Sequence, residues 1–366
     1  MRSACFLVLL AALPGFAQWQ IQTAPTSADL RGIDALGNGI AWASGSEGAV
    51  LRTTDDGAHW QRCATPPDAE HLDFRGIQAF DDKTAIIMSS GKGPLSRLYK
   101  TTDACQSWTL LFTNPDPDGF WDAMLMNRFE GDGYLLGDPV DGSFSYWESR
   151  DYGETWKQFW ESNHTQTRWT GLEARPQEAP FAASNSALLV DERFAIGFIT
   201  GGPTGSRLFL ENDDAAPWKF SDFSLPLRSG SISSGAFSIG TRDYDGLVVV
   251  GGDYLKPNES IGTAARSQDG GDHRKAAATP PHGFRSAVAY LPATKSWITV
   301  GPNRTDISTD DGRNWRALRP DPALGEPPDA DQHWNALSLP FVVGPHGRIG
   351  KLRPAALTPA PQRAQP

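Results

Sequence analysis

Cysteine and histidine are scarce in this chain of 366 residues, which has 3 Cys and 7 His. The sequence contains no CxxC, no HExxH and no cluster of cysteine and histidine, so it offers no zinc or redox centre. It also lacks the Gly-rich turn of a dinucleotide-binding fold. We therefore expect neither a metal nor a cofactor. Cys63 and Cys105 remain once Cys5 is assigned to the leader described below, and their spacing leaves open whether they pair.

Basic charge and long apolar runs are also in short supply. Lys and Arg number 33 against 43 Asp and Glu, for a net charge of −10, whereas a nucleic-acid-binding protein needs a basic face. No apolar stretch is long enough to span a membrane. The longest, residues 5–13, follows Arg2 and precedes small residues before Gln18, which is typical of a secretory signal peptide at residues 1–17. We predict a secreted or periplasmic protein with no membrane span and no nucleic-acid partner.

Turn-forming residues and a repeated motif are what the chain has in abundance, with 37 Gly and 28 Pro. The pattern Ser/Thr-x-Asp-x-Gly-x-x-Trp is intact at residues 53–60, 149–156 and 308–315, and degenerate copies occur at 101–108, 211–218 and 267–274. The pattern predicts a tight turn between strands, in which the Asp accepts hydrogen bonds from turn amides, the Gly adopts a conformation that other residues resist, and the Trp covers the hairpin. We assign this structural role to Asp55, Gly57, Trp60, Asp103, Trp108, Asp151, Gly153, Trp156, Asp310, Gly312 and Trp315.

Short apolar runs separated by turns precede each motif, which favours a repeat architecture built from strands. Seven units can be distinguished, at residues 23–63, 72–112, 118–160, 179–221, 231–277, 283–319 and 332–353. Their first strands are predicted at residues 30–33, 74–77, 120–124, 181–184, 235–239, 284–288 and 334–338. The seventh unit lacks a motif and its outer strand, which residues 18–23 can supply from the N-terminus. The sequence therefore predicts an all-β, seven-bladed propeller with four-stranded blades, closed by this N-terminal strand, and a disordered tail at 354–366.

The motif resembles the Asp box of BNR-type repeats, and the whole mature chain resembles the photosystem II stability/assembly factor-like family of seven-bladed propellers. Phe-Trp-Asp-Ala at residues 120–123 and the segments 137–142, 251–254 and 284–290 look like signatures of the bacterial branch of that family. The resemblance implies an exported scaffold that binds a protein client rather than an enzyme. Some bacterial relatives carry an oxidoreductase label, which the residues of this chain do not support.

A propeller of this kind binds ligands at one mouth of its central channel. Arg31, Arg75 and Arg285 occupy equivalent positions in three first strands, and we expect them to converge there on an anionic ligand or an acidic peptide. The other ligand-binding residues expected at this mouth are Asp122, Asp138, Asp253, Tyr254, Asn303 and His346. In the alternative interpretation the arginines pair with Asp122, Asp138 or Asp253 and only plug the channel.

A sialidase-like glycosidase is the alternative function. Similarity to those enzymes implies that the three arginines grip a carboxylate sugar, with Tyr254 as nucleophile and Asp122 or Asp138 as acid. The sequence Phe-Arg-Gly-Ile at 74–77 lacks the proline of the sialidase motif. Sialidases also have six blades, whereas this chain has seven repeated units. The binding scaffold is therefore the favoured interpretation, and whether any catalysis occurs stays open.

Overall fold

The computed structural model describes residues 19–158, 172–190, 196–212 and 219–353. The predicted signal peptide, the predicted tail and the motif residues at 213–218 lie outside these ranges. Within them the chain forms seven four-stranded antiparallel sheets. Helix is limited there to three short 3-10 turns, at Gly93–Leu95, Pro292–Thr294 and Pro322–Leu324. The predicted seven-bladed propeller is confirmed.

Each of the first six blades is a run of four consecutive strands, of which the first is the inner strand beside the channel. Blade one comprises β2 (Leu30–Gly37), β3 (Ile40–Gly45), β4 (Val50–Thr53) and β5 (Gln61–Arg62), and blade two comprises β6 (Phe74–Ala79), β7 (Ala85–Ser89), β8 (Arg97–Thr101) and β9 (Thr109–Thr113). Blade three comprises β10 (Trp121–Met126), β11 (Gly133–Val140), β12 (Ser143–Ser149) and β13 (Lys157–Gln158), and blade four comprises β14 (Leu188–Val190), β15 (Ile196–Ile199), β16 (Ser206–Asn212) and β17 (Lys219–Leu225). Blade five comprises β18 (Ser234–Thr241), β19 (Gly246–Asp253), β20 (Ala264–Gln268) and β21 (Lys275–Ala276), and blade six comprises β22 (Ala287–Leu291), β23 (Ser296–Val300), β24 (Thr305–Ser308) and β25 (Arg316–Leu318).

Blade seven closes the ring with strands from both ends of the chain. It comprises β26 (Ala336–Ser338), β27 (Phe341–Val343), β28 (Ile349–Leu352) and, as its outer strand, β1 (Trp19–Gln22). Trp19 lies opposite Leu352 in the antiparallel β1–β28 pair. Its fully buried indole donates a hydrogen bond of 2.9 Å to the Thr305 hydroxyl in blade six. Closure therefore also ties blade seven to its neighbour.

The repeated motif forms the turn that its residue types predict. In blade six the Ser308 hydroxyl accepts the Gly312 amide at 3.0 Å, the Asp310 carboxylate accepts the Asn314 amide at 2.9 Å, and the Trp315 indole donates to the Gly312 carbonyl at 3.1 Å. Equivalent hydrogen bonds recur in the turns centred on Asp55, Asp103, Asp151 and Asp269. The carboxylates of the described motifs thus accept hydrogen bonds from the backbone of their own turns and do not face the channel.

The second copy of the motif places a cysteine where the copies at 53–60, 149–156, 267–274 and 308–315 have glycine. Cys105 has a φ of 61°, in the left-handed region, and its amide donates to the Thr101 hydroxyl at 3.1 Å as the glycines do. Its sulfur is bonded to that of Cys63, which follows the outer strand of blade one. The pairing that the sequence left open is therefore a disulfide between blades one and two.

Side-chain hydrogen bonds connect every pair of neighbouring inner strands, or the residues that lead into them. Their distances lie between 2.7 and 3.2 Å. Around the ring they join Asp34 to Ala79, Gln78 to Met126, Asn185 to Met124, Ser186 to Ser238, Ser238 to Val288, Ser286 to Trp334 and Asn335 to Leu30. Because these bonds fix each blade relative to the next, the inner strands form a rigid frame for whatever their ends present.

Three predicted inner strands differ from the structure. In blade four the strand lies at Leu188–Val190 rather than at 181–184, and the inner strands of blades six and seven begin at Ala287 and Ala336. Phe181 has left the sheet because its ring stacks on Phe237 of blade five, with 3.9 Å between ring centroids. The residues ahead of these strands therefore lie over the channel, where they contribute to a cavity.

Candidate functional site

A cavity of about 560 Å³ occupies one end of the channel, on the face where the inner strands begin. Every blade contributes to its lining, so this cavity is the channel mouth. Its lining comprises Arg31, Arg75, Phe120, Asp122, Asp138, Ala179, Pro180, Phe181, Ala182, Ala183, Phe237, Tyr254, Phe284, Ser286 and Asn335. Blades one to three thus supply the charged groups, whereas blades four to six supply most of the aromatic rings.

Two of the three predicted arginines line the mouth, and they share one carboxylate. The Arg75 Nε lies 2.8 Å from Asp73, and the Arg31 Nε lies 3.4 Å from the other oxygen of the same group. Arg75 also donates to the Ala182 carbonyl at 3.0 Å. Both side chains remain partly exposed, at 31% for Arg31 and 28% for Arg75. The mouth therefore keeps cationic groups, but with much of their charge already balanced.

Asp73 was not identified from the sequence, although a signal for it exists. Asp29 and Asp73 stand two residues before Arg31 and Arg75, so the pattern Asp-x-Arg opens the inner strand of both blades. Asp29 lies 3.9 Å from Arg31. The expectation that the arginines pair with carboxylates is met by these neighbours and not by Asp122, Asp138 or Asp253.

Arg285 does not reach the mouth, contrary to the expectation that three arginines converge there. Its side chain is fully buried and donates to Asp306 at 2.6 Å, to the His282 carbonyl at 2.7 Å and to the Arg304 carbonyl at 3.0 Å. A buried guanidinium needs such partners because an unpaired charge in the interior is costly. Arg285 therefore holds blade six together.

Asp122 and Asp138 come together on the charged side of the cavity. Asp122 is only 3% exposed, and burial raises its pKa well above the ordinary value; the neighbouring Asp138 raises it further, and Arg75 opposes the shift. Burial also raises the pKa of Asp138, to about 6. The two carboxyl groups therefore compete for charge in one partly desolvated wall.

Tyr254 is the one other predicted residue that lines the cavity, where its side chain is 46% exposed. Asp253 is buried behind it and accepts hydrogen bonds from Ser233 at 2.8 Å and from the Leu255 amide at 3.0 Å. These bonds shape the loop that carries Tyr254. Asp253 thus supports the site without lining it.

Asn303 and His346 lie outside the cavity. Asn303 donates to the Pro257 carbonyl at 2.6 Å and to Asn258 at 2.7 Å, which anchors the loop of blade five on blade six. His346 borders a separate hollow between blades seven and one, and its amide donates to Asp29 at 3.1 Å. Neither residue can contact a ligand held only in the channel mouth.

An aromatic wall faces the charged groups, and the sequence did not single it out. Phe181 and Phe237 stack, Phe284 meets Phe237 edge-on with 4.7 Å between centroids, and the Tyr254 centroid lies 6.2 Å from that of Phe237. Such rings offer apolar area at a fixed geometry. The cavity therefore presents charge on one side and aromatic surface on the other.

The glycosidase hypothesis finds only part of its expected geometry. Tyr254, Asp122 and Asp138 all line the mouth. The arginine triad is not formed, because Arg285 is bound to Asp306.

Among the described residues, no group of three or more His, Cys, Asp or Glu could hold a metal ion. In the same part of the chain, helices long and apolar enough to cross a membrane are absent.

Comparison with known proteins gives matches in structure only. No family model matches the sequence, and no curated protein matches it. The chain is similar to YCF48 bound to D1 peptide, with a TM-score of 0.61, 14% identity and coverage of 93% of this chain and 99% of that one. It is similar to YCF48 from Cyanidioschyzon merolae, with a TM-score of 0.60, 17% identity and coverage of 92% and 99%. The WD40 β-propeller domain of Doa1 gives a TM-score of 0.55 at 12% identity, with coverage of 94% and 100%. At these identities the likeness is one of fold.

Proposed function

We propose that this chain is an exported binding scaffold that holds a segment of a protein client at the channel mouth. The observation that carries the proposal is the cavity itself, which all seven blades line and which combines an aromatic wall with charged groups. Concave sites with apolar walls and a few oriented polar groups are the usual binding sites of proteins. The Asp boxes serve this function only indirectly, as turns of the frame.

Exposed apolar side chains beside the mouth favour a protein as the partner. Leu255 is 70% exposed and Ile261 is 81% exposed, both on the loop between β19 and β20, and Ile232 is 64% exposed on the loop that leads into β18. The two loops are joined by hydrogen bonds from Arg228 to Gly262 and from Tyr254 to Ser233. An ordered loop that holds apolar groups in water is a common feature of interaction surfaces.

The comparisons support a peptide-like ligand. YCF48, a propeller of the same fold, was solved with a D1 peptide bound. The similarity covers more than nine-tenths of both chains, which is compatible with the resemblance to the photosystem II stability/assembly factor-like family. We therefore propose a protein client for this chain. The residues of its own channel mouth determine which protein that is.

Export is a second part of the proposal. It rests on the signal-peptide pattern at residues 1–17. The disulfide between Cys63 and Cys105 supports it, since such bonds persist mainly in oxidising compartments.

A binding experiment with matched tyrosine variants tests the scaffold. Proteins retained by the mature chain from its native compartment are identified, and the Kd of each purified candidate is measured for the wild type, Tyr254→Ala and Tyr244→Ala. Tyr244 lies in the hairpin between β18 and β19, at the other end of the blade, and is 43% exposed against 46% for Tyr254. We expect at least a tenfold weaker Kd for Tyr254→Ala, about 1.4 kcal/mol, and no change for Tyr244→Ala. Equal affinities for all three proteins would place the client elsewhere.

A further inference from the structure

The carboxyl groups of Asp122 and Asp138 are neighbours in the wall of the channel mouth. In the described chain neither side chain takes part in an ion pair, and Oδ2 of Asp122 is buried without a hydrogen-bond partner. Only 3% of the surface of Asp122 is exposed to solvent. Both residues line the channel mouth. An orphaned carboxylate oxygen in the wall of a cavity is an unused acceptor, and unused buried acceptors are uncommon in folded proteins.

The nearest cation does not satisfy this pair. Arg75 acts on Asp122 through space, but its own donors are directed to Asp73 and to the Ala182 carbonyl. Arg31 is likewise directed to Asp73 and Asp29. Arg31 and Arg75 are thus paired with Asp29 and Asp73. Asp122 and Asp138 have no basic side chain of their own within ion-pair distance in the described chain.

We propose that Asp122 and Asp138 form a cation subsite, which binds the lysine or arginine side chain of a protein client. The subsite rests on the proposed function, since it names the chemistry that the same mouth selects. A basic group placed there gives the orphaned oxygen a donor and relieves the repulsion between the two carboxyl groups. The client is thus recognised by a basic residue, in addition to any contact with Arg31 and Arg75.

Aromatic rings in the same lining suit such a ligand. Phe120 directly precedes the strand that carries Asp122, and Phe181 lines the same cavity; both are partly buried. The faces of aromatic rings attract ammonium and guanidinium groups, and the aliphatic stem of lysine or arginine gains apolar contact. Burial raises the pKa of Asp138 to about 6, and a cation bound beside this carboxyl group would favour its ionised form.

Small probes test the subsite without knowledge of the client. The binding of N-acetyl-lysine amide, N-acetyl-norleucine amide and N-acetyl-glutamate amide to the mature chain is measured by NMR titration at pH 7.5 and low salt. We expect the lysine probe to bind at least tenfold more tightly than the uncharged norleucine probe of similar shape. Its affinity should fall about tenfold at pH 5, because a group with a pKa of about 6 is then mostly protonated. Arg31, Arg75 and Asp122 line the same mouth, and burial raises the pKa of Asp122 as well.

Two asparagine variants locate the effect. Asp138→Asn should reduce the affinity for the lysine probe at least tenfold and weaken its pH dependence. Asp141→Asn is the matched control, because Asp141 is an exposed carboxylate of the same hairpin that does not line the cavity. A thermal melt on each variant checks folding, and Asp122→Asn provides a second test if Asp138→Asn proves unstable.

The outcomes separate the subsite from the scaffold. Equal binding of the lysine and norleucine probes, tighter binding of the glutamate probe, or no binding of any probe would each overturn the cation subsite. A client whose binding depends on Tyr254 but is unaffected by Asp138→Asn would keep the scaffold and remove the subsite. Selective binding of the lysine probe with no Tyr254-dependent client would keep the subsite and remove the scaffold.

Discussion

The Nη2 atom of Arg285 lies 2.6 Å from a carboxylate oxygen of Asp306, and neither side chain is exposed to solvent. The sequence explains why this arginine differs from Arg31 and Arg75. Asp306 stands two residues before the first residue of a turn motif, and the corresponding residues of blades one and two are Leu51 and Tyr99. Only blade six, among these three blades, therefore offers its arginine an internal carboxylate.

Arg285→Ala is expected to destabilise the protein by about 3–5 kcal/mol, because the change removes the guanidinium from the buried Asp306 and leaves it with His282 as its remaining side-chain partner. Arg31→Ala is the comparison. Its ion pairs are partly exposed and longer, at 3.4 and 3.9 Å, so we expect a loss of less than about 1 kcal/mol. Urea unfolding of both variants measures the difference. If both variants lost a similar free energy of unfolding, the position of the arginine in its blade, rather than its burial, would determine the size of the loss.

Trp19 is expected to be essential for ring closure. It is fully buried, donates to Thr305 and lies 6.0 Å from Trp334 between ring centroids. Trp19→Ala should therefore lower the free energy of unfolding by about 3–5 kcal/mol, whereas Trp19→Phe should keep a large part of the contact. A chemical denaturation series measures both. A loss below about 1 kcal/mol for Trp19→Ala would argue that β1 contributes little to blade seven.

The fold was predictable from the sequence because each turn motif is a local structure. Asp310, for example, bonds within four residues of itself, so the motif needs no distant partner to be recognised. The inner strand of blade four was predicted wrongly because its position depends on a distant contact. Phe181 packs on Phe237 of the next blade, and a pattern of apolar residues does not distinguish such a ring from a strand residue.

The site was predictable only in part, for the same physical reason. Residues at the start of inner strands, such as Arg31, Arg75 and Asp122, reach the mouth because the strand positions them there. Arg285 starts from an equivalent position but turns to Asp306. The direction of a long side chain depends on which partner its own blade supplies, and this becomes clear only when blades are compared residue by residue.

Cys105 provides a test of backbone strain separate from the disulfide. In a Cys63→Ala background we expect Cys105→Gly to be more stable than Cys105→Ala by about 1 kcal/mol, because the φ of 61° is left-handed. Relative to the wild type, the free energy of unfolding of both double variants should fall by up to about 4 kcal/mol. The disulfide closes a loop with a sequence separation of 42, and its removal gives the unfolded chain more conformational entropy. Thermal melts of the three proteins give the order. An Ala variant as stable as the Gly variant would show that the turn tolerates the side chain.

Stability is expected to be greatest near pH 4. Hydrogen bonds from His59 and Thr53 lower the pKa of Asp55 to about 2, and bonds from Ser107 and Thr101 lower that of Asp103 to about 2. The folded protein therefore loses this stabilisation as the pH falls from about 4 towards 2. Burial raises the pKa of Glu148 from 4.5 to about 7. Its folded form therefore binds a proton more tightly than the unfolded chain does, and stability declines as the pH rises from about 4.5 to 7.

Glu148→Gln separates the two sides of this profile. The variant should gain on the order of 1–3 kcal/mol relative to the wild type at pH 8, where the buried carboxylate is ionised, and little at pH 5. Below pH 4 the two proteins should lose stability in parallel. Thermal melts over the pH series record both effects. A gain at pH 8 that is equalled at pH 5 would assign the effect to packing rather than to charge.

Site-specific photocross-linking tests the central claim, a protein client at the channel mouth, most directly. p-Benzoylphenylalanine is placed at position 254 in one protein and at position 244 in another, and both are irradiated in the native compartment. Because Tyr254 lines the mouth and Tyr244 lies at the other end of blade five, we expect one defined cross-linked protein from position 254 and none from position 244. That product should diminish when excess lysine-containing segment of the identified protein is added. The same product from both positions, or a product from position 244 alone, would mean that the channel mouth does not hold the client.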